Sequence, residues 1–182
     1  HSRRLLDRHG IPAGRLISCH EHNEAERAAQ LLTALREGKT VALVSDAGTP
    51  GVSDPGYRLV QAARAEGVAV VPIPGPSAAV TALSAAGLPT DAFLFVGFAP
   101  RKQGALKRDL AALAAQPATL IFYESPRRLL TLLQALQDAL GNRRAVLARE
   151  LTKIHEEFVC GSLSEILRTL EERPALKGEC TL

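Results

Sequence analysis

"VALVSDAGTPGVSDPG", residues 41–56, runs from an unbroken apolar stretch into a loop with three glycines, two prolines and two aspartates. A helical pattern follows it. An apolar run without polar alternation is the pattern of a strand buried on both faces. Glycine lets backbone N–H groups come close to a ligand, and proline holds a loop in shape. The loop therefore predicts a strand (40–45) that delivers a ligand-binding turn at its carboxyl end, where open α/β sheets collect their ligands.

Working outward, "RLISCH" (15–20) and "VAVVPIP" (68–74) read as two further strands. Between them lie helical patterns with terminal signals. Asn23, with Glu26 three residues on, reads as a capping box for a helix that Gly38 stops. Asp54 and Pro55 read as N-cap and first residue of the next helix, which Gly67 closes. Pro76 opens a third, which Gly87 ends. The order β-α-β-α-β-α predicts a parallel sheet with right-handed crossovers.

Past "GLPTD" (87–91) the texture changes. "AFLFVGF" (92–98), "ATLIFYE" (118–124), "RAVLARE" (144–150) and "HEEFVCG" (155–161) read as strands, the last alternating as an edge strand does. His155 falls in that strand. "APRKQGALKRD" (99–109) reads as a basic loop. Ser125 and Pro126 start a helix that ends at Gly141. Ser162 and Glu165 form a capping box for a final helix, and "GECTL" begins a last strand. The expected fold is α/β, with a parallel domain over 1–89 and a mixed α/β domain over 90–182.

Composition sets bounds. The 182 residues carry a net charge of +3, compatible with a polyanionic partner. No apolar run approaches the ~18 residues of a membrane span. Cys19, Cys160 and Cys180 are scattered, with no C-x-x-C, which argues against a disulfide framework or a zinc site and for the cytoplasm. With no methionine, and an end that stops inside a strand pattern, the chain reads as trimmed at both ends.

Two familiar ligand loops are absent. There is no G-x-x-x-x-G-K-[ST], and Gly48, Gly51 and Gly56 do not have the G-x-G-x-x-G spacing. Asp54 has a helix to cap; Asp46 has none and reads as facing a ligand. His20 and His22, beside acids, read as a surface turn.

"VALVSDAGTPGVSDPGYRLV", "VPIPGPSAAVTALSAAGLP", "LIFYESPRRL" and "LARELTKIHEEF" occur in that order. Together they resemble the tetrapyrrole methylase superfamily, and within it the branch that methylates a cytidine 2′-oxygen in 16S ribosomal RNA of the small subunit. The resemblance covers nearly the whole chain. It implies a class III methyltransferase fold: two α/β domains with an S-adenosylmethionine cleft between them. The family's opening strand and its "P-x-G-N-L"-like glycine loop are missing here. By motif match, the resemblance puts Asp46, Ala47, Gly48, Thr49, Ser77, Ala78, Tyr123, Ala148 and Glu179 against S-adenosylmethionine. It also implies a homodimer acting on the small ribosomal subunit.

Methyl transfer to a ribose hydroxyl needs alignment, helped by a base or cation near the oxygen. It needs no metal. Charged residues at strand ends are few: Glu124, Glu150 and Lys153, with Lys102 on the basic loop. Lys153, or else Lys102, is expected to stabilise the developing alkoxide, and Glu150 or Glu124 to hold the lysine or take the proton. Desolvation of Lys153 would lower its pKa and let it act as the base. The plainer alternatives are a helix cap for Glu124, an inter-domain ion pair for Arg149 and Glu150, and a solvated surface for Lys102, Lys107 and Arg108. Arg101, Lys102, Lys107, Arg108 and Arg127 are the RNA-binding candidates. Arg127 and Arg128 sit at a helix start, where the macrodipole disfavours cations unless an anion is near. The competing functions are a tetrapyrrole or small-molecule methyltransferase on the same fold, and a ribosome-binding module without activity.

Overall fold

The computed structural model describes residues 2–12 and 14–182. Packing divides the chain into two compact units, one ending at Ser77 and the other running Ala78–Leu182. The first unit holds α1 (Ser2–Arg8), α2 (Glu24–Arg36) and α3 (Tyr57–Ala65). Its core is small: Ala28, Leu31 and Leu59, flanked by Ile17, Leu35 and Val41.

The three stretches read as strands in this unit, 15–20, 40–45 and 68–74, carry no ladder pairing among the described residues. The apolar pattern reports what a strand would bury, but a strand also needs a partner for its N–H and C=O groups. Here Val44 stays 59% exposed, so the expectation of burial on both faces does not hold for 40–45, and in 68–74 Val71 and Ile73 are 75% and 80% exposed.

Two helix starts, and the capping of a third, also differ from the sequence reading: α2 begins after Asn23 as expected, but without the capping box. The side-chain oxygen of Asn23 accepts from the N–H of His20, not from its own helix. α3 begins beyond Asp54 and Pro55, with Gly56 as N-cap. The reason is a long-range cap: Glu24 Oε1, on α2, accepts from the N–H groups of Gly56 and Arg58 at 2.9 and 3.0 Å. These bonds, that of Arg58 first, hold the Glu24 carboxyl below its usual range. Pro76 precedes the third helix, which starts only at Ala78.

The second unit contains α4 (Ala78–Ala86), β1 (Phe93–Phe98), α5 (Gln103–Ala112), β2 (Thr119–Glu124), α6 (Pro126–Leu140), β3 (Arg144–Arg149), β4 (Glu157–Ser162), α7 (Leu163–Glu171) and β5 (Cys180–Thr181). α4 groups with this unit because Ala79 and Leu83 pack on Ile121, beside Phe95 and Tyr123. The unit boundary thus lies earlier than the 89/90 division expected from the sequence.

The sheet order is β1-β2-β5-β3-β4. β1 and β2 are parallel, while β5 runs antiparallel to both β2 and β3. β1, β2 and β3 therefore point the same way, and their carboxyl ends gather at one end of the sheet. β4 is an edge strand, as its alternation predicts.

α6 covers one face of the sheet for a legible reason. Leu129, Leu132, Leu133 and Leu136 recur at helical spacing, and all four are buried. They share a core with Phe122, Leu147, Ile166 and Leu170. α7 opens with the predicted capping box: Ser162 Oγ accepts from the N–H of Glu165, whose carboxylate accepts from the N–H of Ser162. The segment read as a basic loop is largely α5, whose Leu106 and Leu110 are buried four residues apart. His155 lies in the turn before β4, not in the strand. Among the described residues, no helix is long and apolar enough to cross a membrane.

Candidate functional site

The first unit presents two loops tied together. Ser45 Oγ donates to the carbonyl of Ala47 at 2.7 Å, closing a tight turn around Asp46. Asp46 is exposed, with Ser2 Oγ 3.5 Å from its Oδ1. Gly48 has φ +75°, a conformation that only glycine takes without cost. Thr49 Oγ1 then donates to the carbonyl of Pro76 at 3.0 Å, linking this loop to the one at 75–77. A β-carbon on Gly75 would meet nothing within 4 Å, and one on Gly48 only the Pro76 carbonyl, at 4.0 Å. Backbone at both positions is open to close approach.

The second unit gathers its charged candidates at the carboxyl end of the sheet. The ladder aligns Glu124 of β2 with Cys180 of β5, and Cys180 with Arg149 of β3. Arg149 is anchored inside the unit: Nε donates to Glu157 at 2.6 Å, and Nη1 to the Lys177 carbonyl at 3.0 Å. Cys180 is buried, which pushes its thiol pKa up to about 11.

Just past Arg149 the chain turns sharply. Glu150 and Thr152 have φ of +52° and +66°, unfavourable for residues with a β-carbon. The turn is closed by Lys153 N–H donating to the Glu150 carbonyl. Glu150 N–H donates to the Glu179 carbonyl at 2.9 Å, and Glu179 N–H donates back to Glu150 Oε1 at 2.9 Å. Lys153 Nζ donates to Glu150 Oε1 at 2.8 Å and to Glu179 Oε2 at 2.9 Å. Glu150, Lys153 and Glu179 thus form one cluster. The Glu150 side chain occupies the space beside Gly178 that a β-carbon would need.

The cluster sets the direction of the pKa shifts. The bonds to Glu150 and then Glu179 raise the Lys153 pKa, outweighing desolvation. The expectation of a lowered lysine pKa is therefore reversed: Lys153 is held as an ammonium. Its bond to Glu150 holds that carboxyl below the ordinary range.

Glu124 is 3% exposed. Its Oε1 accepts from Ser125 N–H at 2.8 Å, at the start of α6. Its Oε2 lies 3.2 Å from Arg128 Nη2 yet has no hydrogen-bond partner. Arg128, which the sequence reading set beside a ligand anion, instead donates from Nη2 to the carbonyls of Ala99 and Pro100.

The other candidates are more dispersed. Tyr123 Oη accepts from Ala79 N–H at 3.0 Å, fixing the first turn of α4 that Ala78 opens. Its ring meets Phe95 edge-on at 4.9 Å. Ala148 is buried in β3. Arg101 and Lys102 are exposed in the bend before α5, and Lys107 and Arg108 are exposed on α5 itself. Arg108 pairs with Asp109 at 3.0 Å. Arg101, Lys102, Lys107 and Arg127 have no ion pair among the described residues. A cavity of about 310 Å³, with Leu88, Phe122, Leu136, Val146 and Leu163 in its lining, lies at the amino ends of β2 and β3, where Thr119 and Arg144 also line it. No group of metal-ligating side chains occurs among the described residues.

A family profile described as Tetrapyrrole (Corrin/Porphyrin) Methylases matches residues 3–167. The chain belongs to the tetrapyrrole methylase family. Among curated relatives, the ribosomal RNA small subunit methyltransferase I of Mesorhizobium japonicum is 55% identical over 98% of this chain and 60% of its own length. The protein of the same name from Escherichia coli O157:H7 is 50% identical over 100% of this chain and 64% of its own. The chain thus spans about 60% of the length of these relatives.

Solved structures of tetrapyrrole methylases share the α/β fold. The methyltransferase CobJ superposes with a TM-score of 0.64 at 23% identity, over 94% of this chain and 72% of CobJ. Uroporphyrin-III C-methyltransferase from Thermus thermophilus, crystallised with S-adenosylhomocysteine, gives 0.57 at 20% identity, over 87% of this chain and 72% of that one. Sequence reasoning missed two features of this structure, Glu24 as a cap for α3 and Arg128 as an anchor for the 99–100 turn. Neither has a local signal, since each partner is about 30 residues away in sequence.

Proposed function

We propose that this chain takes part in S-adenosylmethionine-dependent 2′-O-methylation of a cytidine ribose in 16S ribosomal RNA. The observation that carries the reading is identity of about half, over almost the whole chain, to proteins named ribosomal RNA small subunit methyltransferase I. The small ribosomal subunit is the proposed partner, in the cytoplasm, with a homodimer as the working assembly.

The residues suit the cofactor. Open backbone at Gly48 and Gly75, beside the Asp46 carboxylate and Thr49, forms a cradle for a polar, zwitterionic ligand. In the first unit Asp46, Ala47, Gly48, Thr49 and Ser77 are the proposed contacts; in the second, Ala78, Tyr123, Ala148 and Glu179. When bound, S-adenosylmethionine supplies an electrophilic methyl on a sulfonium. Displacement by a ribose oxygen would leave that sulfur neutral, and the chain's part would be to hold the two groups in line. The hydroxyl proton goes to a base.

The chain's own contribution is charge and alignment. Lys153, held positive by Glu150 and Glu179, is suited to stabilise the developing alkoxide. Glu150 or Glu124 is the proposed proton acceptor, and Lys102 the alternative cation. Arginine in place of Lys153 should then retain part of the activity, whereas alanine should lose roughly 10²-fold or more in single turnover.

A second reading, methylation of a tetrapyrrole, is favoured by the family's description and by its uroporphyrin-methylating neighbours. Methyl transfer to isolated small subunits, naked 16S RNA and a precorrin, run side by side, separates the two. Transfer to RNA alone is expected. Transfer to the precorrin alone overturns the RNA reading, and transfer to none leaves a ribosome-binding module.

A further inference from the structure

We propose that Arg128 is a positioning residue for RNA: it pins the β1–α5 turn that carries Arg101 and Lys102, and the buried Glu124 holds it in place. This rests on the RNA-methylation reading. Nη2 of a guanidinium carries two hydrogens. Both are directed at carbonyls of the turn, Ala99 and Pro100, each at 3.0 Å. The same nitrogen stands 3.2 Å from Glu124 Oε2, so that oxygen meets the positive charge without receiving a hydrogen. The oxygen is left unpartnered because the Nη2 group that faces it donates to the turn instead.

The position is costly without that arrangement. Arg128 lies in the first turn of α6, where the helix dipole repels a cation. Glu124 compensates for it, and in return Arg128 neutralises a carboxylate that burial would otherwise penalise heavily. On the far side the turn is fixed by α5, where Leu106 N–H donates to the Lys102 carbonyl at 2.9 Å. Two exposed basic residues therefore project from a segment held at both ends. A preorganised pair binds phosphates without the ordering cost that a mobile loop incurs.

Two measurements test this on the protein. The first is amide hydrogen exchange, without RNA, at Leu106, whose N–H donates to the Lys102 carbonyl of the turn; Arg128→Gln should accelerate it at least tenfold while leaving α6 protected. Unchanged exchange overturns the proposal whatever the substrate. The second is a double-mutant cycle on small-subunit binding with Arg128→Gln, Arg101→Ala/Lys102→Ala and their combination. Each change should weaken binding about tenfold, and the combination should be no weaker than Arg101→Ala/Lys102→Ala by more than about twofold, as expected for groups acting as one unit. Multiplying losses would mean that Arg128 acts independently of the turn, and would overturn the proposal. If exchange accelerates but the parent protein binds no RNA, the functional reading fails instead. Arg128→Gln leaves a buried carboxylate alone and can unfold the unit. Glu124→Gln/Arg128→Gln removes both charges and should give the same exchange and the same non-additivity.

Discussion

Gly178 lies against Glu150 so closely that a β-carbon on residue 178 would stand 2.6 Å from the Glu150 Oε1 atom. Gly178 also has φ +94°, a region closed to other residues without strain. Gly178→Ala should therefore displace Glu150, and with it Lys153. We expect a loss of roughly 1–3 kcal/mol in stability and a larger proportional loss of methyl transfer. Thermal melting and single-turnover rates, measured together, check this; normal activity would mean that the cluster is not needed for the reaction.

The charges of the cluster predict a flat response to pH near neutrality. The Glu150 pKa is depressed, so its contribution is present above the unfolded value of about 4.3 and is lost as pH falls through the lower folded value. The Lys153 pKa is raised, so its contribution is complete below about 10.4 and is lost only as pH rises through the higher folded value. Between about pH 6 and 9 the single-turnover rate should show no limb that Lys153→Arg abolishes. Such a limb would mean that Lys153 works as a neutral base.

Asp46 is exposed in a turn closed by Ser45 and caps no helix. Asp46→Ala should leave the melting temperature within a few degrees of the parent, because surface changes cost about 0.5 kcal/mol or less. Binding of S-adenosylmethionine, measured by calorimetry, should weaken at least tenfold. A variant that melts early yet binds normally would assign Asp46 to folding.

Neutralising Arg101, Lys102, Lys107 and Arg108 together should flatten the salt dependence of RNA binding, each lost phosphate contact lowering the log–log slope by roughly 0.7 to 0.9. Arg108 already pairs with Asp109, so restoring it alone should recover the least. An unchanged slope would place the RNA surface elsewhere.

Much of the second unit was legible because its signals are local. Ser162 with Glu165, Gly141 after α6, and the leucine spacing of α6 each lie within one or two turns of the feature they specify. The same signal was overlooked in α5, where basic residues masked the Leu106–Leu110 pair. What escaped were jobs taken by distant residues. Asp54 looked like a cap, but Glu24 supplies it from another helix. Lys153 looked desolvated, but Glu150 first, and then Glu179, 26 residues on in sequence, raise its pKa. The strand-like runs 40–45 and 68–74 show apolar pattern, yet pairing depends on neighbours that pattern does not encode.

The two-residue β5 sits in mid-sheet, between β2 and β3, although it follows every other strand in sequence. During vectorial synthesis the β1–β2 and β3–β4 pairs can zip first, each as its own strands emerge. They can be joined only when Cys180 and Thr181 leave the exit tunnel. Glu179 and Gly178 arrive in the same few moments. The charged cluster is therefore incomplete until those residues emerge, and a nascent chain stalled before residue 178 would carry the Lys153–Glu150 pair without Glu179 to clasp it.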